Sequence, residues 1–141
     1  KIIFEPGRSI IGSVGSLISK ITYIKKTKNK IFVILDCAMN DFLRPALYGA
    51  KHEILPTVKN NKKIKKTTEF VGPICETTDT FLKLSKFQSI KEGDNIAILN
   101  TGAYGMSLSS NYNVRPMPIE ILIKNKKSSV ILKRQKLNEI T

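Results

Sequence analysis

At 141 residues the chain is long enough for one domain, which at this size buries roughly 68–70% of its unfolded surface, and its formal net charge of +13 raises nucleic acid or an anionic membrane as partners. Twenty of the basic residues are Lys and only four are Arg (Arg8, Arg44, Arg115 and Arg134), and the lysines are scattered over apparent turns and strand edges, a pattern of solvated faces. No long uncharged apolar run or signal-peptide pattern is present, and two cysteines, Cys37 and Cys75, make no disulfide framework, so a reducing cytoplasm is the expected compartment.

The chain opens on the strand-like Ile2-Ile3-Phe4, which reads as a fragment whose N-terminal part is missing. Glu5-Pro6-Gly7-Arg8 is a strand-to-turn transition, and Ser9 is placed to cap a short helix from Ile10 to about Gly15. Strand, tight turn and helix start together suit an anion, and equally an ordinary turn with a surface Arg. Ser16 to Lys25 alternates with apolar groups on both sides, predicting a strand crowded on both faces. A turn at Lys28-Asn29-Lys30 leads into a buried strand over Ile31 to Leu35 that stops at Asp36, giving a hairpin.

Phe42 to Tyr48 predicts a short helix starting near Arg44, because Pro45 fits only in a first turn. In such a helix Arg44 and Tyr48 share one face, so a guanidinium and a phenol converge on one ligand group. His52, the single histidine, reads as a hydrogen-bonded structural residue. The run Lys59-Asn60-Asn61-Lys62-Lys63-Ile64-Lys65-Lys66 lacks interleaved aromatics for base stacking and reads as a mobile hairpin tip, with a basic RNA-binding β-barrel as the alternative.

Phe70-Val71 closes a strand before Gly72-Pro73-Ile74-Cys75-Glu76-Thr77-Thr78-Asp79, where Gly72 and Pro73 break it and place a thiol beside a carboxylate in a loop. Cys75 in that setting is either a reactive loop thiol or a packed, inert one. Thr80 to Lys83 and Asn95 to Leu99 read as strands, the second entered through the turn Lys91-Glu92-Gly93-Asp94. In Gly102-Ala103-Tyr104-Gly105 two glycines let the backbone approach a ligand that the phenol faces, or form a structural turn with a packed Tyr. Pro116 and Pro118 lead into a last hairpin, Ile119 to Lys124 and Ser128 to Lys133 about Asn125-Lys126-Lys127, and the polar tail from Arg134 ends in a helical turn. Many short strands with Gly and Asn turns and little helix predict a mainly β chain, a barrel or sandwich.

Four stretches, in order, resemble the diaminopimelate decarboxylases, a family of pyridoxal-phosphate enzymes of fold type III. They are Glu5-Pro6-Gly7-Arg8-Ser9; Met39-Asn40-Asp41 running into Arg44-Pro45-Ala46-Leu47-Tyr48; Cys75-Glu76 followed by Asp79; and Gly102-Ala103-Tyr104-Gly105 with Ser109-Ser110-Asn111-Tyr112-Asn113 beyond it. The family's (β/α)8 barrel precedes a Greek-key β-barrel domain, so the resemblance implies that residues 1–15 are the last strand-turn-helix remnant of the first barrel and residues 16–141 the C-terminal β domain. It implies lysine biosynthesis as the setting, with meso-2,6-diaminopimelate converted to L-lysine and carbon dioxide on pyridoxal 5′-phosphate.

The same resemblance implies that Glu5, Pro6, Gly7, Arg8 and Tyr104 meet the cofactor. Arg8, Arg44 and Tyr48 would hold the retained carboxylate, Tyr104 would also touch substrate, and Glu76 would engage the distal part. Cys75 would be the catalytic proton donor, and Cys75 and Glu76 would serve the partner's site in a homodimer. Thr77 and Thr78 stand where the family has Ser and Gly. No lysine here matches the one that carries the cofactor, so the fragment alone is expected to be inactive; neither a metal, a membrane nor a nucleic acid is implied. The rival readings are an ornithine- or arginine-type decarboxylase of the same architecture, the RNA-binding barrel, and a non-catalytic dimerisation module.

Overall fold

The computed structural model describes residues 1–140. Helix α1 (Arg8–Ile11) and a 3-10 turn over Gly12–Val14 precede ten strands: β1 (Ser16–Lys26), β2 (Lys30–Leu35), β3 (Ile54–Pro56), β4 (Lys63–Ile64), β5 (Thr67–Val71), β6 (Thr80–Leu84), β7 (Phe87–Gln88), β8 (Asn95–Leu99), β9 (Glu120–Lys124) and β10 (Lys127–Leu132). Helix α2 (Arg44–Tyr48) lies between β2 and β3, and a further 3-10 turn spans Leu137–Glu139. The chain is mainly β, as its turn-punctuated pattern predicts, and six strands in the order β3-β8-β1-β2-β5-β6 form a curled half-barrel sheet.

Strand β1 is the hub, pairing antiparallel with β8 through its first half and with β2 through its second. Its face is not crowded on both sides as its apolar content suggests: Ser19 and Ile21 are buried, whereas Ile18 and Tyr23 are 58% and 56% exposed. The register shifts between Ile21 and Tyr23, with Thr22 Oγ1 donating to the Ile34 carbonyl. Such a bulge inserts one residue and exchanges the faces. Leu17 and Ile21 therefore pack inward before it and Ile24 after it, which is why the sequence shows apolar residues in both phases.

Alternation elsewhere is regular. Ile31, Val33 and Leu35 of β2, Phe70 of β5, Phe81 of β6 and Ile96 and Ile98 of β8 form one core with Ile54, Phe42 and Cys37. Burial pushes the Cys37 thiol far above its usual range, so it is an inert core residue. The Phe70 ring packs edge-on against Phe87, centroids 4.9 Å apart.

Two further expectations are corrected. Helix α1 starts at Arg8, with Gly7 at its N-cap and no side-chain cap, because the Gly7 carbonyl accepts from the Ile10 and Ile11 amides; Ser9 lies inside the helix. The lysine-rich run is not a hairpin tip. Its Lys63–Ile64 segment pairs antiparallel with the distant β7, and Gln88 ties it by accepting from the Asn60 amide and donating to the Val58 carbonyl. Strand β2 also pairs in parallel with β5, so the long connection between them crosses to the far edge of the sheet, where β3 pairs with β8. Among the described residues no helix is long and apolar enough to cross a membrane.

The last hairpin turns on Asn125 and Lys126, both left-handed at φ 51° and 62°, the two-residue turn whose twist suits antiparallel strands. The core makes a direct prediction: Phe70→Ala removes a fully buried ring and should cost about 3–5 kcal/mol, read as a lower urea midpoint at unchanged slope.

Candidate functional site

Two glycines bring the first cluster together. A Cβ on Gly102 would strike the Ile11 carbonyl, and one on Gly15 would strike the Gly102 backbone; the Gly102 amide donates to the Gly12 carbonyl at 3.0 Å and that of Thr101 to Gly15 at 3.0 Å. These glycines thus serve a backbone-to-backbone approach within the chain, which places α1 against the 101–105 turn. Tyr104 sits in that turn with φ 61°, and its hydroxyl lies 3.8 Å from the point a Cβ on Gly7 would occupy.

Helix α2 delivers the other half of the cluster. Pro45 falls in its first turn, as expected, and Gly49 closes it at φ 62° with its amide on the Pro45 carbonyl. One turn apart on one face, Arg44 and Tyr48 meet: the guanidinium carbon stands 5.6 Å from the Tyr48 ring centroid and 5.7 Å from that of Tyr104, within cation–π reach of both. Arg44 Nε is buried without a partner, an uncommon state for a guanidinium N–H. Tyr48 and Tyr104 are themselves more than half exposed, so the cluster opens outward.

Beneath lies His52, 6% exposed, its Nδ1 2.9 Å from the Leu99 carbonyl and its ring edge-on to Phe42. Its role is structural, as expected. Burial lowers its pKa from 6.5, the Leu99 bond pulls it back up, and the positive charges of Arg44 and Arg8 lower it further. Glu5 and Pro6 are exposed in the irregular segment before α1.

The second cluster is the loop after β5. Cys75 is exposed and, like Cys37, free. Asp79 staples the loop: one carboxylate oxygen accepts from the Ile74 amide at 2.9 Å, the other from the Met39 amide at 2.7 Å, and its carbonyl takes the Gly72 amide. Burial raises the Asp79 pKa while those amides lower it. Gly72 is required here because any Cβ would collide with that carboxylate. Glu76 faces Tyr112, Oε2 to Oη 3.4 Å.

Arg115, a residue the sequence marks only by the scarcity of Arg, binds both regions to the sheet. Its Nε donates to Asn40 Oδ1 at 3.0 Å and its Nη2 to the Asp36 carbonyl at 2.6 Å, 3.6 Å from Asp41 Oδ2. Asp41 accepts from the Ala38 amide, and burial raises its pKa against that bond and the Arg115 charge. The structure therefore brings Gly7, Arg8, Arg44, Tyr48 and Tyr104 together and leaves Cys75 and Glu76 in a separate group.

Three comparisons bear on this arrangement. The description "Pyridoxal-dependent decarboxylase, C-terminal sheet domain" matches residues 10–102. Diaminopimelate decarboxylases from Helicobacter pylori and Zymomonas mobilis are 47% and 43% identical over 139 and 140 residues, 99% of this chain and 34% and 33% of theirs. The crystal structure of the Helicobacter pylori enzyme complexed with L-lysine superposes with a TM-score of 0.88 at 46% identity, over 96% of this chain and 33% of that one. The chain thus spans about a third of the length of these relatives.

His52 supplies a test. The unfolded chain takes up a proton near pH 6.5 and the folded one only at lower pH, so this stabilisation is complete above 6.5 and is lost as pH falls toward the folded pKa. The melting temperature should fall from pH 7.5 to 5.5, and His52→Phe, which keeps a ring against Phe42, should flatten that slope.

Proposed function

The chain belongs to the pyridoxal-dependent decarboxylases as their C-terminal sheet domain, and on that premise we propose that it is the C-terminal part of a diaminopimelate decarboxylase. Residues 1–15 are the end of a preceding barrel and residues 16–141 the β domain, and the compartment is the cytoplasm, with which two free cysteines agree. The observation that carries the reading is the buried, unpartnered Nε of Arg44 between two phenol rings. An N–H held out of water without an acceptor is costly, and a substrate carboxylate repairs it.

The residues present also fit an anionic cofactor. Gly7 leaves open space bounded by the Tyr104 hydroxyl, with Arg8 following, and Glu5, Pro6, Gly7, Arg8 and Tyr104 would line the pyridoxal phosphate. When bound, the cofactor supplies the electron sink that accepts the pair left by departing carbon dioxide. Arg8, Arg44 and Tyr48 hold the carboxylate that is retained, Arg serving where Lys cannot because its planar fork gives two parallel bonds. Tyr104 would touch both cofactor and substrate, and Glu76 would take the distal end.

Cys75 donates the proton that replaces the lost carboxylate. The proton passes from Sγ to the carbon that has lost its carboxylate, and the thiolate recovers one from solvent. Cys37 is too deeply buried for this role. The separation of the Cys75–Glu76 loop from the arginine cluster favours a homodimer in which each chain lends that loop to its partner's site.

An ornithine-type substrate has no second carboxylate and leaves Arg44 unpaired, which argues against it. Carbon dioxide release by the full-length protein with pyridoxal phosphate should favour meso-diaminopimelate over ornithine. Arg44→Lys should lower kcat/KM for diaminopimelate about 10- to 100-fold. Faster release from ornithine would overturn the substrate assignment.

A further inference from the structure

Glu76 stands on an exposed loop, and an exposed glutamate samples many rotamers, so a carboxylate meant to meet a ligand gains from being set beforehand. The only phenol recorded against it among the described residues is Tyr112, 36 positions away, whose hydroxyl lies 3.4 Å from Oε2; the other oxygen has Thr77 Oγ1 at 3.5 Å. Thr78, next in the chain, turns its hydroxyl to Met39 Sδ instead.

The segment bearing Tyr112 is built to hold it there. Ser110 is latched to Asn40 twice, amide to carbonyl at 2.9 Å and Asn40 Nδ2 to the Ser110 carbonyl at 3.1 Å. Beyond Tyr112 the backbone turns through two successive left-handed residues, Asn113 at φ 58° and Val114 at φ 55°. A β-branched residue is strained in that region, and such strain persists only where the surroundings impose it. Here the Val114 amide donates to the Asn111 carbonyl, Asn111 Nδ2 donates to the Arg115 carbonyl, and the Arg115 fork pins the far end to Asp36 and Asn40. The turn lets Tyr112 face the Glu76 loop while Arg115 faces the sheet. A cavity of about 220 Å³, lined by Met39, Asn40, Leu43, Ser110 and Tyr112, runs alongside.

We propose that Tyr112 is a positioning residue that donates its hydroxyl to Glu76 Oε2 and so presents the remaining carboxylate lone pairs to an alkylammonium group at the distal end of a diamino-acid substrate. This rests on the proposed role of Glu76. A phenol O–H fills one oxygen and an ammonium N–H is drawn to the other, and the contact shortens as the charge pair forms.

The experiment is a double-mutant cycle in the full-length holoenzyme with meso-diaminopimelate, using Tyr112→Phe, Glu76→Gln and the pair. Phe keeps the ring against the cavity, so a merely structural role would leave the kinetics unchanged. The expected result is a KM raised about three- to tenfold by Tyr112→Phe, with kcat within about twofold, an unchanged melting temperature, and no further loss when the change is made on Glu76→Gln. An unchanged KM in Tyr112→Phe, or an effect that adds in full to that of Glu76→Gln, overturns the positioning role while leaving Glu76 as a substrate contact. A Glu76→Gln variant with unaltered KM overturns the reading of Glu76, and the role of Tyr112 with it.

Discussion

The guanidinium of Arg115 joins parts of the chain that the strand ladders leave unconnected. From one side chain it reaches the Asp36 carbonyl at the end of β2, Asn40 and Asp41 ahead of α2, and through its own backbone the segment that carries Tyr112. Lys could not reproduce this, since three acceptors at different heights need the planar fork and its several N–H groups. Removing it would leave Asp41 8% exposed with only the Ala38 amide and Asn40 for support, a state in which the loss of one partner weighs more than the pair itself contributes.

From that junction two arms extend. One is α2, which carries Arg44 and Tyr48 to the Gly15–Gly102 contact where Arg8 and Tyr104 wait. The other runs through the Met39 amide to Asp79 and the Cys75–Glu76 loop. Both arms begin within the segment 36–44, so the sheet sets the relation between two groups that do not touch. On the proposed reading these are two half-sites, one cationic and one carrying a thiol and a carboxylate, as a symmetric pair needs if each cleft is completed by its neighbour.

Much of this was legible because it is written locally. Strand β8, the β1–β2 hairpin, the β9–β10 hairpin and α2 follow from alternation, Asn and Gly turns and the placement of Pro45. The one-turn spacing of Arg44 and Tyr48 anticipates their contact. What escaped depends on distant partners. Two-residue strands such as β4 and β7 have no period to read, and their pairing is held by Gln88, far along the chain. The Thr22 bulge merges two regular faces into a pattern that looks uniformly apolar. Asp79 and Tyr112 stand in the matching motifs, yet tying the loop to Met39 and facing Glu76 are relations across 40 and 36 positions that no local pattern encodes. The helix start at Arg8 was missed because a glycine carbonyl did the work assigned to a serine side chain.

The most direct test of the proposed assembly mixes two inactive full-length variants, Arg44→Ala and Cys75→Ala, by refolding or co-expression, and measures diaminopimelate decarboxylation. If the arginine cluster and the thiol loop of one cleft come from different chains, random pairing makes half of the dimers mixed, each with one intact site, and about one quarter of the parental activity returns. If both groups of a cleft come from one chain, every site keeps a lesion and no activity returns, which would contradict the shared-site account.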